Sequence, residues 1–174
     1  LGVESPDEKT LYNALSEYVE KQYNIALTHD KRRNVAFALV ILQRRLASST
    51  YALYRSLIRR KQRLQEMLEG AQATHLDESD LDYDLAEEMS EEDRWKQEEL
   101  WETLSVAENR QELEREIRTL DALISQARAI IESGSEVKLR HFRQALHDLN
   151  AQQPGAKILI FTESRDTLDY LEKC

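Results

Sequence analysis

The sequence has little glycine, proline or cysteine. Four glycines and two prolines in 174 residues leave few sites for sharp turns, which favours long solvated helices over a compact sheet protein. The single cysteine excludes an internal disulfide framework and suits a reducing compartment. No apolar run is long enough to span a bilayer, and no stretch has the pattern of a signal peptide. We therefore expect a soluble, cytoplasmic chain with no membrane partner.

The sequence also lacks the usual motifs of catalysis and metal binding. His29, His75, His141 and His147 are widely spread, and their spacing does not suit zinc. There is no phosphate loop, no dinucleotide fingerprint and no nucleophile elbow. The acidic run 77–84 lacks the central glycine and closing glutamate of a calcium loop. We expect no catalytic, cofactor-binding or metal-binding residue in this chain, and no enzymatic activity from it alone.

What the sequence has is helical periodicity. Ser5-Pro6-Asp7-Glu8 forms a capping box with proline at the first helical position, which predicts a helix over 6–23. Residues 34–68 contain no glycine or proline and repeat apolar side chains every three or four positions. This pattern predicts one amphipathic helix roughly 50 Å long.

A second long helix is predicted from Ser90 or Glu91 to Glu132, ending at Ser133-Gly134. Six apolar residues within it form a heptad seam: Leu113, Ile117, Leu120, Ile124, Ala127 and Ile131. A lone helix would leave this seam in water, so we expect it to pack antiparallel on the helix at 34–68. A dimeric coiled coil remains an alternative. A further helix is predicted from Ser135-Glu136 to the residues before Pro154.

Positive charge is concentrated on the helix at 34–68, whereas residues 69–93 form a predicted acidic loop. The basic faces are either solvated, neutralised by that loop, or placed to follow a phosphate backbone. Arg44 and Arg45 lie far from the loop and are the better placed to meet a partner. The densest cluster lies next to the loop and is most open to neutralisation there; its members are Arg59, Arg60, Lys61 and Arg63.

The end of the chain has a different pattern. Pro154-Gly155 marks a turn, and the continuous apolar run Ile158–Phe161 predicts a strand buried on both faces. Thr162 or Ser164 can cap a following helix. One buried strand has nothing to pair with, so we expect the first β-α step of a domain whose remainder is missing. The start at Leu1, without Met, fits an excised segment.

The stretch from Lys157 to Leu171, K-I-L-I-F-T-E-S-R-D-T-L-D-Y-L, resembles motif IV of Swi/Snf-type superfamily-two helicases. That motif opens the second RecA-like lobe of these proteins. The E-V-K-L sequence at 136–139 resembles the short helix before it. Residues 5–19 look like the segment that leaves the first lobe, and 34–49 are similar to a helix of bacterial and archaeal members.

The resemblance covers nearly the whole chain and implies a mainly α fold. It divides the chain into a helix leaving the first lobe (1–30), a helical insertion built as a long antiparallel hairpin (31–134), and the start of an α/β RecA-like lobe (135–174). That last part comprises a helix, one β-strand and a truncated helix. The phosphate loop and Asp-Glu box precede Leu1 in such proteins, and the arginine finger follows Cys174.

The function implied is that of a fragment of an ATP-dependent DNA helicase or translocase, inactive as an ATPase alone. ATP and Mg²⁺ belong to the parent protein, and duplex DNA and the two ATPase lobes are the expected partners. Phosphate contact then falls to Arg44, Arg45 or the cluster at 59–63, with Thr162 and Arg165 facing nucleic acid at the end of the strand. The alternatives are a free-standing helical interaction module and a coiled-coil dimerisation element, in which the chain forms a homodimer.

Overall fold

The computed structural model of the chain describes residues 5–27, 32–70, 90–101, 107 and 109–173. These residues are mainly helical, as predicted. The helices are α1 (Pro6–Leu27), α2 (Arg32–Ser48), α3 (Thr50–Leu68), α4 (Glu91–Trp101), α5 (Arg110–Ser133), α6 (Val137–Gln152) and α7 (Arg165–Leu171).

The core lies between α1, α2, α3 and α5. Each of these helices turns one apolar stripe inward, as expected for amphipathic helices that pack side by side. Each fully buried leucine adds about 1.5–3 kcal/mol of hydrophobic stabilisation. The buried side chains of the cluster are Leu11, Leu15, Tyr18, Leu39, Leu42, Leu53, Leu57, Leu64, Leu113, Leu120, Leu123, Ala127 and Ile130.

The predicted capping box at the start of α1 is confirmed. The Ser5 Oγ accepts a hydrogen bond from the Glu8 amide at 3.2 Å, and the Ser5 amide donates to Glu8 Oε2 at 3.0 Å. The helix continues to Leu27, four residues beyond the predicted end at Tyr23, because no glycine or proline interrupts it there.

The prediction of one unbroken helix over 34–68 is wrong. Ser49 has an extended backbone (φ −159°, ψ 155°) and separates α2 from α3. Its Oγ accepts a hydrogen bond from the Ala52 amide at 3.0 Å, so it is the N-cap of α3. Serine and threonine side chains compete with helical hydrogen bonds, and three of them stand in a row here, at 48–50.

The second predicted long helix is also two helices. Trp101 ends α4, and α5 begins at Arg110 after an N-cap at Asn109, whose Oδ1 accepts from the Glu112 amide at 3.0 Å. The predicted end is confirmed, since Gly134 caps α5 with φ +64°. This left-handed conformation suits glycine because it has no Cβ.

The predicted antiparallel pairing is present, but between α3 and α5 only. Near the start of α3, the Thr50 amide donates to Glu136 Oε1 at 2.9 Å. Ten residues further along α3, Arg60 meets Glu116, which lies near the start of α5. The hairpin is therefore shorter than predicted, and most of the acidic loop predicted to connect it (71–89) lies outside the described residues.

The predicted buried strand is not formed. Residues 156–162 belong to no helix or strand among the described residues, and a strand exists only with a hydrogen-bonded neighbour. Leu159 and Phe161 are 83% and 89% exposed. The preceding helix, α6, buries Val137 and Leu139 near its start, whereas Leu149 near its end is exposed.

Candidate nucleic-acid interface

Arg44 and Arg45 lie in the last turn of α2 and have different surroundings. Neighbouring residues on a helix point about 100° apart. Arg44 is half exposed, and its Nη2 is 2.9 Å from Glu163 Oε2, while its Nη1 is 3.6 Å from Glu98 Oε1. Arg45 is buried, and its Nη2 is 3.0 Å from Glu98 Oε2. Only Arg44 has a surface that a phosphate could reach.

Arg55 and Arg59 lie one turn apart on α3 and share the carboxylate of Asp166. Arg59 Nη1 and Nη2 donate to Asp166 Oδ1 and Oδ2 at 3.2 and 2.8 Å, which is a bidentate fork. The Nε of Arg55 is 3.9 Å from Oδ1. Asp166 lies in the first turn of α7, where the helix dipole also favours a negative charge. We call Arg44, Arg55 and Arg59 the arginine face.

Helix α7 is held against the arginine face by further polar contacts. The Thr167 Oγ1 is 2.7 Å from Ser48 Oγ and 2.9 Å from Ser49 Oγ. Trp95 Nε1 of α4 donates to the Glu163 carbonyl at 3.0 Å. We call residues 163–171, the segment that covers the arginine face, the α7 clasp.

One aromatic contact completes this interface. The rings of Tyr51 and Tyr170 are stacked, with centroids 4.5 Å apart and an angle of 6° between their planes. No residue of α7 belongs to the buried cluster between α1, α2, α3 and α5. Among the contacts described, the clasp is attached to the helical core by ion pairs, hydroxyl groups and a stacked ring pair.

Arg60 lies in the core, and this corrects its assignment to phosphate contact. Its side chain is fully buried, so its guanidinium does not reach solvent. Its Nε donates to the Tyr18 hydroxyl at 2.7 Å and to Glu116 Oε1 at 3.0 Å. The Tyr18 hydroxyl donates to the same Oε1 at 2.7 Å. These three side chains join α1, α3 and α5 within the core.

Burial and charge act on this triad together. Burial is the largest influence on Tyr18 and raises the pKa of its hydroxyl, so it stays protonated. Burial alone would lower the pKa of Arg60, but its contacts with Tyr18 and Glu116 outweigh that effect and raise it. Arg60 therefore keeps its charge in the folded protein.

The remaining predicted residues are dispersed. Lys61 Nζ is 2.5 Å from Asp121 of α5, and Arg63 Nη1 is 3.2 Å from Glu66 on its own helix. Thr162 Oγ1 accepts from the Ser164 amide at 3.3 Å. Arg165 is exposed at the first position of α7, after the confirmed N-cap Ser164. Phosphate contact by these residues stays a prediction.

The carboxylates that meet the arginines come from α4, α5 and α7 and from the residue before the N-cap of α7. Neutralisation of the basic helix by the acidic loop was one of the alternatives that the sequence left open, and residues 71–89 of that loop lie outside the described residues. The pairing residues Glu98, Glu116 and Asp166 were not predicted. For Glu116 a signal existed, because it directly precedes Ile117 of the predicted heptad seam, three residues after Leu113 and four before Leu120.

A separate pair of carboxyl groups lies where α3, α6 and α1 meet. Glu136 Oε1 accepts from the Thr50 amide, and Glu8 Oε1 accepts from the Val137 amide at 3.0 Å. Burial raises the pKa of Glu136; the Thr50 amide opposes this shift and the nearby Glu8 adds to it. The folded protein therefore holds a proton on Glu136 more tightly than the unfolded chain does.

This shift predicts a pH-dependent effect of Glu136→Gln. The stabilisation from a raised pKa is complete below the unfolded value of about 4.3 and is lost as the pH rises through the folded value. The variant lacks this loss. Its free energy of unfolding should therefore increase relative to that of the wild-type protein as the pH rises. Urea titrations from acid to neutral pH measure the difference. Glu132→Gln, at an exposed site, is the control, and a difference that does not change with pH would contradict the prediction.

Comparisons with protein-family models, curated proteins and solved structures found no match to this chain. Among the helices that the structure describes, none is long and apolar enough to cross a bilayer. The described residues also contain no group of three or more histidine, cysteine, aspartate or glutamate side chains that could hold a metal ion.

Proposed function

We propose that this chain is the helical insertion between the two ATPase lobes of a Swi/Snf-type DNA translocase, with the first residues of the second lobe. The observation that carries the proposal is the arginine face, on which Arg44, Arg55 and Arg59 gather beside the segment that resembles motif IV. An arginine guanidinium group can donate two parallel hydrogen bonds to phosphate oxygens. Several neighbouring arginines can therefore contact successive phosphates of a nucleic-acid backbone.

The exposed apolar run supports the second part of the proposal. Isolated apolar residues are common at protein surfaces, but consecutive large ones mark a surface that another element covers. Ile158, Leu159, Ile160 and Phe161 are such a run. In the proposed parent protein they form a strand of the second lobe. ATP and Mg²⁺ act at the lobes, and no residue of this chain is assigned to them because the sequence has no phosphate loop.

A salt titration of duplex DNA binding tests the proposal. We expect the chain to bind at about 50 mM salt and to weaken steeply towards about 200 mM, because neutralised phosphates release counterions. Arg44→Gln with Arg55→Gln should reduce the slope of log affinity against log salt by about 1.8, or about 0.9 for each contact. Both side chains are about half exposed, at 49% and 48%, so neither change disturbs the core.

Arg128→Gln is the matched control, since this arginine is exposed on α5 and pairs only locally with Glu132 among the contacts described. It should leave the slope unchanged. An equal reduction in the control, or no binding at about 50 mM salt, would contradict phosphate contact by the arginine face. Arg45 is left intact because it is buried against Glu98.

A second candidate is a free-standing helical interaction module that forms a homodimer. The same exposed run favours it, because an extended apolar segment can pair with a second copy edge to edge. Light scattering separates the two candidates. A stable dimer that is lost in Leu159→Glu favours the interaction module, whereas a monomer that binds duplex DNA favours the translocase insertion.

A further inference from the structure

The α7 clasp covers the surface that the proposed function assigns to phosphate. Glu163 meets Arg44, and Asp166 meets both Arg55 and Arg59. Each of these arginines is thus engaged by a carboxylate from residues 163–171. The contacts link positions more than 100 residues apart in the sequence, so they form only when the end of the chain folds back onto α2 and α3.

The carboxylate of Asp166 lies on Arg59 as a phosphate would. Arginine binds carboxylate and phosphate groups through the same pair of parallel N–H donors. The two donor distances, 3.2 and 2.8 Å, are those of a formed fork. A phosphate oxygen and Asp166 cannot occupy this fork together, so nucleic acid must compete with the clasp for Arg59.

The attachment of the clasp suits reversible release. It has no side chain in the core cluster, and Leu168 at its centre is partly exposed. Residues 156–161, which lead into it, are exposed and belong to no helix or strand. The pair of Arg44 and Glu163 is largely exposed, so it is weak and screened by salt, whereas Asp166 is mostly buried against Arg59 and makes the stronger contact. Release therefore leaves the helical core intact and removes two negative charges from the arginine face.

We propose that the α7 clasp is an autoinhibitory segment whose Glu163 and Asp166 occupy the phosphate sites of the arginine face, so that clasp docking and duplex binding exclude each other. This inference rests on the proposed function. It predicts that an opened clasp strengthens duplex binding, and that duplex binding in turn opens the clasp, since the coupling between two binding events is reciprocal.

A reversible crosslink tests the exclusion. The Ser48 and Thr167 oxygens are 2.7 Å apart, so cysteines at these positions place their sulfur atoms close to the disulfide distance of about 2.0 Å. The variant Ser48→Cys/Thr167→Cys also carries Cys174→Ser, which removes the only native thiol. Oxidation locks the clasp and reduction frees it, and the melting curve of each form verifies folding.

The reduced form should bind duplex DNA about tenfold tighter than the oxidised form at about 50 mM salt, with a salt slope steeper by about 2.7 for three released arginines. In the wild-type chain, saturating duplex should speed amide hydrogen exchange in 164–171. Equal affinity of the two forms overturns the exclusion while leaving the proposed function standing. Absence of binding by both forms overturns the proposed function as well, so the two failures are distinguishable.

A variant without a crosslink tests the same point by charge. Glu163→Gln with Asp166→Asn opens the clasp and should bind duplex DNA about tenfold tighter than wild type. Its matched control is Glu114→Gln with Glu132→Gln, which removes two negative charges from α5, away from α7. If both pairs of changes raise the affinity equally, net charge explains the gain and the clasp proposal is overturned.

Discussion

Replacing Arg60 with leucine should lower the free energy of unfolding by about 3–5 kcal/mol. The change removes the cation that faces Glu116, which is 3% exposed, and leaves that carboxyl group in the core without its partner. It also removes a donor from the Tyr18 hydroxyl. Urea denaturation at neutral pH measures the loss, and the amide exchange of α5 should rise with it.

Matched variants distinguish the cost of leaving a buried charge unpaired from the cost of losing a contact. In the double variant Arg60→Leu/Glu116→Leu no charge is left unpaired, so we expect it to recover about 2 kcal/mol or more of the loss. Lys61→Leu is the control at the neighbouring position, because its pair with Asp121 is partly exposed and worth less than about 1 kcal/mol. Equal losses of unfolding free energy for Arg60→Leu and Lys61→Leu would show that the buried triad stabilises the fold no more than a surface ion pair does.

Arg60 also illustrates what the sequence could and could not predict. The basic cluster at 59–63 was recognised, but a run of charges does not state which member turns inward. The inward member is fixed by Glu116, 56 residues away. Glu116 directly precedes Ile117 of the predicted seam and lies in the buried stripe of α5 between Leu113 and Leu120. An acid beside the apolar seam, opposite a helix rich in arginine, was the available signal.

Local chemistry predicted the ends of several elements. The capping box at Ser5, the N-cap at Ser164 and the left-handed Gly134 depend only on neighbouring residues, and all three are confirmed. The breaks at Ser49 and Asn109 were missed for a related reason. At both breaks the capping side chain, Ser49 or Asn109, interrupts the helix without a glycine or proline.

The sequence predicted a contact between distant segments where an apolar helix surface needed a partner. The heptad pattern of α5 required a partner, and α3 supplies it. The arginine face was foreseen only in part, since its carboxylate partners belong to α4 and to the end of the chain. Charge pairing between distant segments depends on the folded path of the chain, which local periodicity does not encode.

The apolar run at 158–161 was predicted to be a buried strand because of its composition alone. Burial, however, depends on a second surface, and among the described residues none covers this run. The seam of α5 and this run are both apolar. Shortening a side chain should nevertheless lower the free energy of unfolding much more in the seam than in this run.

Leu120→Ala should lower the free energy of unfolding by about 2–5 kcal/mol, because this side chain is fully buried and its loss leaves a cavity. Phe161→Ala removes a larger side chain that is 89% exposed, and should change the same quantity by less than about 0.5 kcal/mol. Urea titrations of the two variants under identical conditions measure both. A loss above about 1 kcal/mol for Phe161→Ala would mean that the run packs against the helical core. In the proposed parent protein the ranking changes, since a sheet of the second lobe would cover Phe161 and make its truncation as costly as that of Leu120.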